Sequence, residues 1–433
     1  MDSTQELYDR ARRVIPGGVT AAARFNKFLG RPFYISRAED STVYDLDGRP
    51  YIDVYTGSGA GVAGHGHPRI REALVKASEM GIACAWEYPE ETELAEKICA
   101  AVPSAEMVRF TLSGTENTWY AVRLARVYTG KTKMIKMEGH FHGFNDYLQY
   151  NYWPAPGEGL PRLQEETPGF PPESREHVIV LPFNDVEAVE QVVAERGEEI
   201  AGLIVEPVNY NSGGILPKSG YLEALRRITS ENNILLIFDE ILSGFKTGID
   251  CAQGYYGVTP DVTTLGKALG GGVPLSAFVG RREIMETVAP LGAMMHSGTY
   301  NANSINIYCG SAFMDLAGEP GAYDALLARS ERLYEGLNTI FADTGMPARA
   351  QGLGGRFGLL FGEAAAGEPE SYKDVAPQDW QLGRAFFREA FGRGVLYNSG
   401  WHHGLSFLHS DGDVEEILQV SRDAAEAVME GRE

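Results

Sequence analysis

Lys267 stands in the run TLGKALGGGVP at 264–274, one amine placed after an apolar stretch and ahead of three glycines. An accessible amine there can form a Schiff base, since burial lowers a lysine pKa toward neutrality. Glycines let the backbone pass close to a bound ligand. Upstream, ILLIFDE at 234–240 ends five apolar residues in two carboxylates, Asp239 and Glu240. A carboxylate at the end of a covered strand costs several kcal/mol to bury unless it has a partner, and a protonated ring nitrogen would serve as one. The same residues also describe a loop lysine beside a turn and two acids entering solvent, so neither run decides the matter alone.

Three further runs have the same layout. LSGTEN at 112–117 joins an apolar stretch to a helical pattern. Free N–H groups and the helix dipole there attract an anion, and the Ser113 and Thr115 hydroxyls add donors. A plain helix cap has the same residues. GHFHG at 139–143 offers an aromatic, Phe141, that can lie flat on a planar ring. His140 and His142 are not read as metal ligands, because no HExxH and no matching Cys/His cluster accompanies them; no metal is expected. Glu206, in VEP at 205–207, is another acid at an apolar run's end, and HSGTYNAN at 296–303 is a polar loop rich in donors. Together these describe one site: a planar ring with a phosphate, a partner for its nitrogen, a stacking face and a Schiff-base amine.

Such a site needs elements that deliver each run to one edge. Apolar, β-branched segments at Met107–Leu112, Lys133–Met137, His177–Leu181, Ala201–Val205, Ile234–Phe238, Val262–Leu265 and Ala277–Val279 read as strands. Helical patterns such as Glu116–Val127 and Leu222–Thr229 separate several of them. That alternation predicts a mostly parallel seven-stranded sheet covered by helices, which binds ligands at its strands' carboxyl ends. Before it come a short amphipathic helix, Glu6–Val14, and strands within 33–54 with an Asp47-Gly48 hairpin signal. The expected organisation is an α/β fold with residues 1–60 and 310–433 forming a smaller α+β domain around a large domain, 61–309. Glu363–Ala376, rich in Ala, Gly, Glu and Pro, reads as an exposed loop.

The 433 residues carry a formal net charge of -21, which repels phosphates and anionic lipid, so nucleic acid and membrane are set aside as partners. No apolar run approaches the roughly 20 residues of a membrane helix. The four cysteines are scattered, and the N-terminus is polar with no secretory signal pattern. The expected location is cytoplasmic.

In chain order, SGTE at 113–116, FHG at 141–143, Glu206-Pro207, Asp239-Glu240 with Gly244-Phe245, LGK at 265–267 with its glycines, and SGT at 297–299 resemble the class III pyridoxal-phosphate aminotransferases. The resemblance covers roughly residues 5 to 425. It is greatest to the branch of glutamate-1-semialdehyde aminomutase and the β-amino-acid aminotransferases. It implies fold-type I, pyridoxal 5′-phosphate as cofactor, and a homodimer with shared active sites. It implies that Lys267 carries the cofactor as a Schiff base and shuttles the proton, and that Asp239 keeps the pyridine nitrogen protonated. Phe141 and Ile241 would cover the two ring faces. Ser113, Gly114 and Thr115 would bind the phosphate with Thr299 of the partner subunit, while His142, Glu206 and Asn211 complete the cofactor set. Arg24 matches the arginine that holds the substrate carboxylate in the aminomutase. Ser58 stands where that enzyme has a tryptophan, Ser304 where proline is usual, and His402-His403 where relatives place a glutamate or an arginine. Trp86, Trp401 and His402 are further substrate-side candidates. The expected activity moves an amino group from a carboxylate-bearing amino compound, such as a β-amino acid, to a 2-oxo acid. The alternatives are an aminomutase and an amino-acid epimerase.

Overall fold

The computed structural model describes residues 4–81, 85–155 and 161–431. Its centre is a seven-stranded sheet in the spatial order 107–111, 276–280, 262–265, 235–240, 200–205, 133–137, 178–181. The seven expected strands are these seven, shifted by a residue or two at their ends. Six run parallel. Ser276–Gly280 runs antiparallel to both of its neighbours, pairing Thr264 with Phe278 on one side and Ala277 with Phe110 on the other. A short apolar strand reads the same in either direction, so its sense is set by the tight LGGGVP connection before it rather than by composition.

Every residue of 200–205 and 235–240 is buried, as strands covered on both faces must be. Helices Gly114–Thr129, Val186–Arg196 and Tyr221–Glu231 pack their apolar stripes on the sheet; the last buries Leu222, Leu225 and Ile228. No helix among the described residues is long and apolar enough to cross a membrane.

The two ends of the chain share one core. Strand Pro50–Asp53 pairs in parallel with Val395–Leu396, and antiparallel with Thr42–Asp45. Phe28, Ile52 and Val54 pack among Leu333, Phe357, Phe386 and Val414. A second small sheet joins Ala348–Leu353, Arg356–Phe361 and His402–Gly404. Helix Ser304–Ala317 runs through the 309/310 line drawn from the sequence, and its Ile307, Cys309, Phe313 and Met314 belong to the core that holds Leu265 and Leu269. At its start Asn303 caps the helix, and Ser304, in place of a proline, donates to the Gly81 carbonyl at 3.1 Å. The stretch Glu363–Ala376 is an exposed loop only in its middle, 366–370; it ends in the helix Tyr372–Val375 and buries Ala364, Tyr372 and Val375. Its polar composition comes from one side only, while the apolar residues face the core.

Asn117 ties this architecture together. It lies fully buried on helix Gly114–Thr129, donates to the carbonyls of Leu265 and Ala277, and accepts from the Thr111 hydroxyl. One side chain thus bridges three adjacent strands. Asn117→Ala strands three buried polar groups and is expected to cost about 2–4 kcal/mol. The check is the midpoint of chemical unfolding; a loss under about 0.5 kcal/mol would show that the bridge is dispensable.

Candidate active site

The carboxyl ends of the parallel strands open on a chamber of about 430 Å³ lined by Ser113, Gly114, Thr115, Phe141, His142, Glu206, Asn211, Asp239, Ile241 and Lys267. Ten of the residues singled out from sequence are therefore brought to one place. Each follows its strand: Ser113 after 107–111, Phe141 and His142 after 133–137, Glu206 after 200–205, Asp239 within the last two residues of 235–240, and Lys267 after 262–265.

Asp239 and Glu240, equivalent in the sequence, have separate roles. Asp239 accepts from the Ile241 N–H at 3.1 Å and the Thr264 hydroxyl at 2.8 Å on one oxygen, and meets His142 Nδ1 at 2.8 Å on the other. An ionised carboxylate has about four acceptor positions, so one remains toward the chamber. Burial holds the His142 pKa below its ordinary value, and the Asp239 charge opposes that shift. A neutral His142 donates its Nδ1 proton to Asp239. Glu240 accepts from the N–H groups of Ala252 and Gln253, the Gln253 amide and the Ser243 hydroxyl, and so anchors the helix Cys251–Tyr256.

Lys267 adopts a left-handed backbone, φ +46°, uncommon outside glycine. Such strain persists where surrounding structure over-determines it. Its amine is brought down to about 8 by burial first and the charge of Arg356 second, with Asp239 and Glu206 pulling the other way. Glu206 is raised, by burial first and then by the Asp239 charge. It accepts from the Phe141 N–H and the Asn211 amide, both at 2.8 Å. Those bonds fix the backbone on which Phe141 rides.

The anion end is built by Ser113, whose hydroxyl accepts from the Glu116 N–H as the cap of helix Gly114–Thr129. Gly143, at φ +82°, approaches so closely that a Cβ there would lie 2.7 Å from Thr115 Cα. A ring with a basic nitrogen and an anionic arm fits this set: an acceptor at Asp239, a helix N-terminus at Gly114, an aromatic at Phe141 and an amine at Lys267.

The structure also places residues that sequence reasoning missed. Lys136 is fully buried and its three N–H bonds go to the carbonyls of His140, Leu148 and Tyr150, clamping the loop that carries Phe141 and His142. Arg356 is 1% exposed and is hydrogen-bonded to His402, the Thr56 hydroxyl and the Tyr55 carbonyl. Only an unusual arginine among apolar residues, in the run RFGLLF, marked it in the sequence.

Other expected residues lie elsewhere. Arg24 donates to Thr20 at 2.6 Å and borders a second chamber of about 460 Å³ with Tyr55, Gly57 and Asn398. Ser58 sits in the turn between the two chambers, bonded to the Tyr55 hydroxyl. Trp401 is a core residue, packed edge-on against Trp380 at 4.7 Å, and does not line the chamber. Its aromatic bulk suits a core as well as a substrate wall. Trp86 is 80% exposed. Thr299 is exposed on the loop after His296, whose ring packs against Tyr120, and lies outside this chain's chamber.

The neutral amine is the attacking form, so a lysine lowered to about 8 should capture pyridoxal phosphate with a rate that rises with pH and levels off above about 8. Reappearance of visible absorbance on adding the cofactor to apoprotein measures this. A rate still climbing above pH 10 would mean that Lys267 is an ordinary lysine.

The class-III aminotransferase family model matches residues 26–405. Glutamate-1-semialdehyde 2,1-aminomutase of Nitrosospira multiformis is 40% identical over 425 residues, covering 97% of this chain and 98% of that one. An omega-transaminase from Sphaerobacter thermophilus superposes with a TM-score of 0.93 at 30% identity, over 99% of this chain and 98% of that one. A β-phenylalanine aminotransferase from Variovorax paradoxus superposes with a TM-score of 0.85 at 30% identity, over 97% and 92%. The chain belongs to the class-III aminotransferase family and is a transaminase-type enzyme that uses pyridoxal 5′-phosphate.

Proposed function

We propose that this enzyme moves an amino group from a carboxylate-bearing amino compound, of the β-amino-acid kind, to a 2-oxo acid. The observation that carries the reading is the chamber itself, where Lys267, Asp239, Glu206 and Phe141 converge with a helix N-terminus. When bound, pyridoxal phosphate supplies an aldehyde carbon for an amine and a ring that withdraws electrons from the carbon bearing the donor nitrogen. Lys267 Nζ would hold the cofactor at its aldehyde carbon and, once released by the donor amine, would accept the proton from the donor carbon. Asp239, held by its three donors, would face the ring nitrogen and keep a proton there. Gly114, Thr115 and Ser113 would present N–H and hydroxyl donors to the phosphate. Phe141 and Ile241 would confine the ring, and Glu206 with Asn211 would complete its site.

The second reading, an aminomutase that returns the nitrogen to a neighbouring carbon, is supported by the 40% identity to glutamate-1-semialdehyde 2,1-aminomutase. The structural likeness to an omega-transaminase and a β-phenylalanine aminotransferase supports the first. The holoenzyme should convert β-amino acids only when 2-oxoglutarate or pyruvate is added. Conversion of glutamate-1-semialdehyde to 5-aminolevulinate with no added oxo acid would establish the aminomutase instead.

The working form is read as a homodimer. Thr299 lies outside its own chain's chamber, and large apolar side chains stand exposed beside it, Leu291, Met295 and Tyr300 among them. Thr299 of the partner subunit would complete the phosphate site. Mixing Lys267→Ala with Thr299→Asp subunits should restore activity that neither has alone, because one site of each mixed dimer is intact. A fully active monomer at assay dilution would rule the arrangement out.

A further inference from the structure

Arg356 is the one arginine that is nearly fully buried among the described residues, and no carboxylate forms an ion pair with it there. A buried cation normally has an acid beside it. Asp53 acts on it from a distance, but that carboxylate is taken by His65 at 2.8 Å and by the N–H groups of Tyr55 and Thr56. The guanidinium makes do with neutral acceptors. Its Nη1 donates to Thr56 Oγ1 at 2.9 Å, while Nε, at 3.0 Å, and Nη2 both point at the single Nδ1 atom of His402. Apart from a 3.4 Å bond from Nη2 to the Tyr55 carbonyl, the two parallel donors share one acceptor atom, whereas a carboxylate presents the two oxygens that such a fork matches. His402 is kept neutral by burial, with the Arg356 charge adding to the effect, so it offers a lone pair and no charge.

The place of this fork relates it to the chamber. The turn Thr56–Gly59 lies over it. A Cβ on Gly59 would come within 3.2 Å of Arg356 Cζ and 2.8 Å of Leu242, and Leu242 and Ala60 line the chamber. Gly59 thus lies against the guanidinium, and the next residue, Ala60, lines the chamber. Thr56, Gly57, Ser58 and Gly59 all have left-handed backbones, φ +47°, +56°, +58° and +89°. For β-branched Thr56 that conformation is strained and survives because Arg356 and Asp53 hold it. Among the charges that act on the Lys267 amine, that of Arg356 is the largest, which accords with its standing directly behind the site.

We propose that Arg356 is the anchor for the substrate carboxylate and that His402 is its resting partner, displaced when the carboxylate arrives. This deepens the proposed function by assigning the carboxylate to the inner arginine behind the Gly59 turn rather than to Arg24 in the second chamber.

Titration calorimetry on the holoenzyme tests this without turnover, using 3-phenylpropanoate and its neutral amide as probes. Wild type should bind the carboxylate at least 10-fold more tightly than the amide. Arg356→Met should shrink that preference below 2-fold, and Arg24→Ala should leave it. His402→Ala removes the competing acceptor and should tighten carboxylate binding several-fold, an outcome that a purely structural arginine would not give and that stands even where Arg356→Met does not fold. The inference is overturned by a wild type with no carboxylate preference, by a preference that survives Arg356→Met, by His402→Ala leaving affinity unchanged, or by Arg24→Ala alone abolishing the preference. Failure of the proposed function would appear elsewhere, in the absence of amino transfer by wild type.

Discussion

The role proposed for Asp239, keeping a proton on a ring nitrogen, asks for a buried carboxylate whose oxygens are held by donors. Asp239 meets that requirement with three donors of different origin: its own following backbone, a threonine on the next strand and a histidine from two strands away. Thr264 pairs in register with Asp239, so the hydroxyl is delivered by the sheet itself. His142 is delivered by a loop, and that loop needs separate restraint, which Lys136 and Glu206 provide. The sheet register, the clamp on the loop and the buried His142 all bear on the position of this one carboxylate.

The same chamber shows how charge is distributed around a reactive amine. Lys267 is buried between acids on one side and a guanidinium on the other, and its basicity reflects the balance. A cation behind the wall lowers the amine and makes it a better nucleophile at neutral pH. Neutralising that cation, by whatever ligand, would restore basicity to the amine. The wall and the amine are therefore coupled electrostatically even where they do not touch.

Much of this was legible in the sequence because the physics there is local. Apolar runs such as ILLIF at 234–238 make strands wherever they are covered, and a residue directly after a strand must lie at the sheet's edge. That logic brought Lys267, Asp239, Glu206, Phe141 and Ser113 into one chamber. It failed where the partner is remote in the chain. Arg356 meets His402 and Thr56, and Asn117 meets Leu265 and Ala277, contacts that no spacing rule announces. The reading of a mostly parallel sheet is met, but it did not say which strand departs, and Ser276–Gly280 is the one that runs the other way. Trp401 and Glu363–Ala376 show a third limit: composition does not say which side of a residue the core lies on.

The pairing of Pro50–Asp53 with Val395–Leu396 sets the order in which the molecule can be completed. During synthesis the N-terminal strand emerges early and must wait for a partner made near the end of the chain. A nascent chain that has passed residue 310 already contains all seven strands of the central sheet and every residue of its own that lines the ring chamber. It lacks Arg356 and His402, which brace the turn at Thr56–Gly59. Every residue that lines the ring chamber is thus made before those that brace the wall behind it, although Leu360, Tyr372 and Trp401 of the core beside the sheet come late as well.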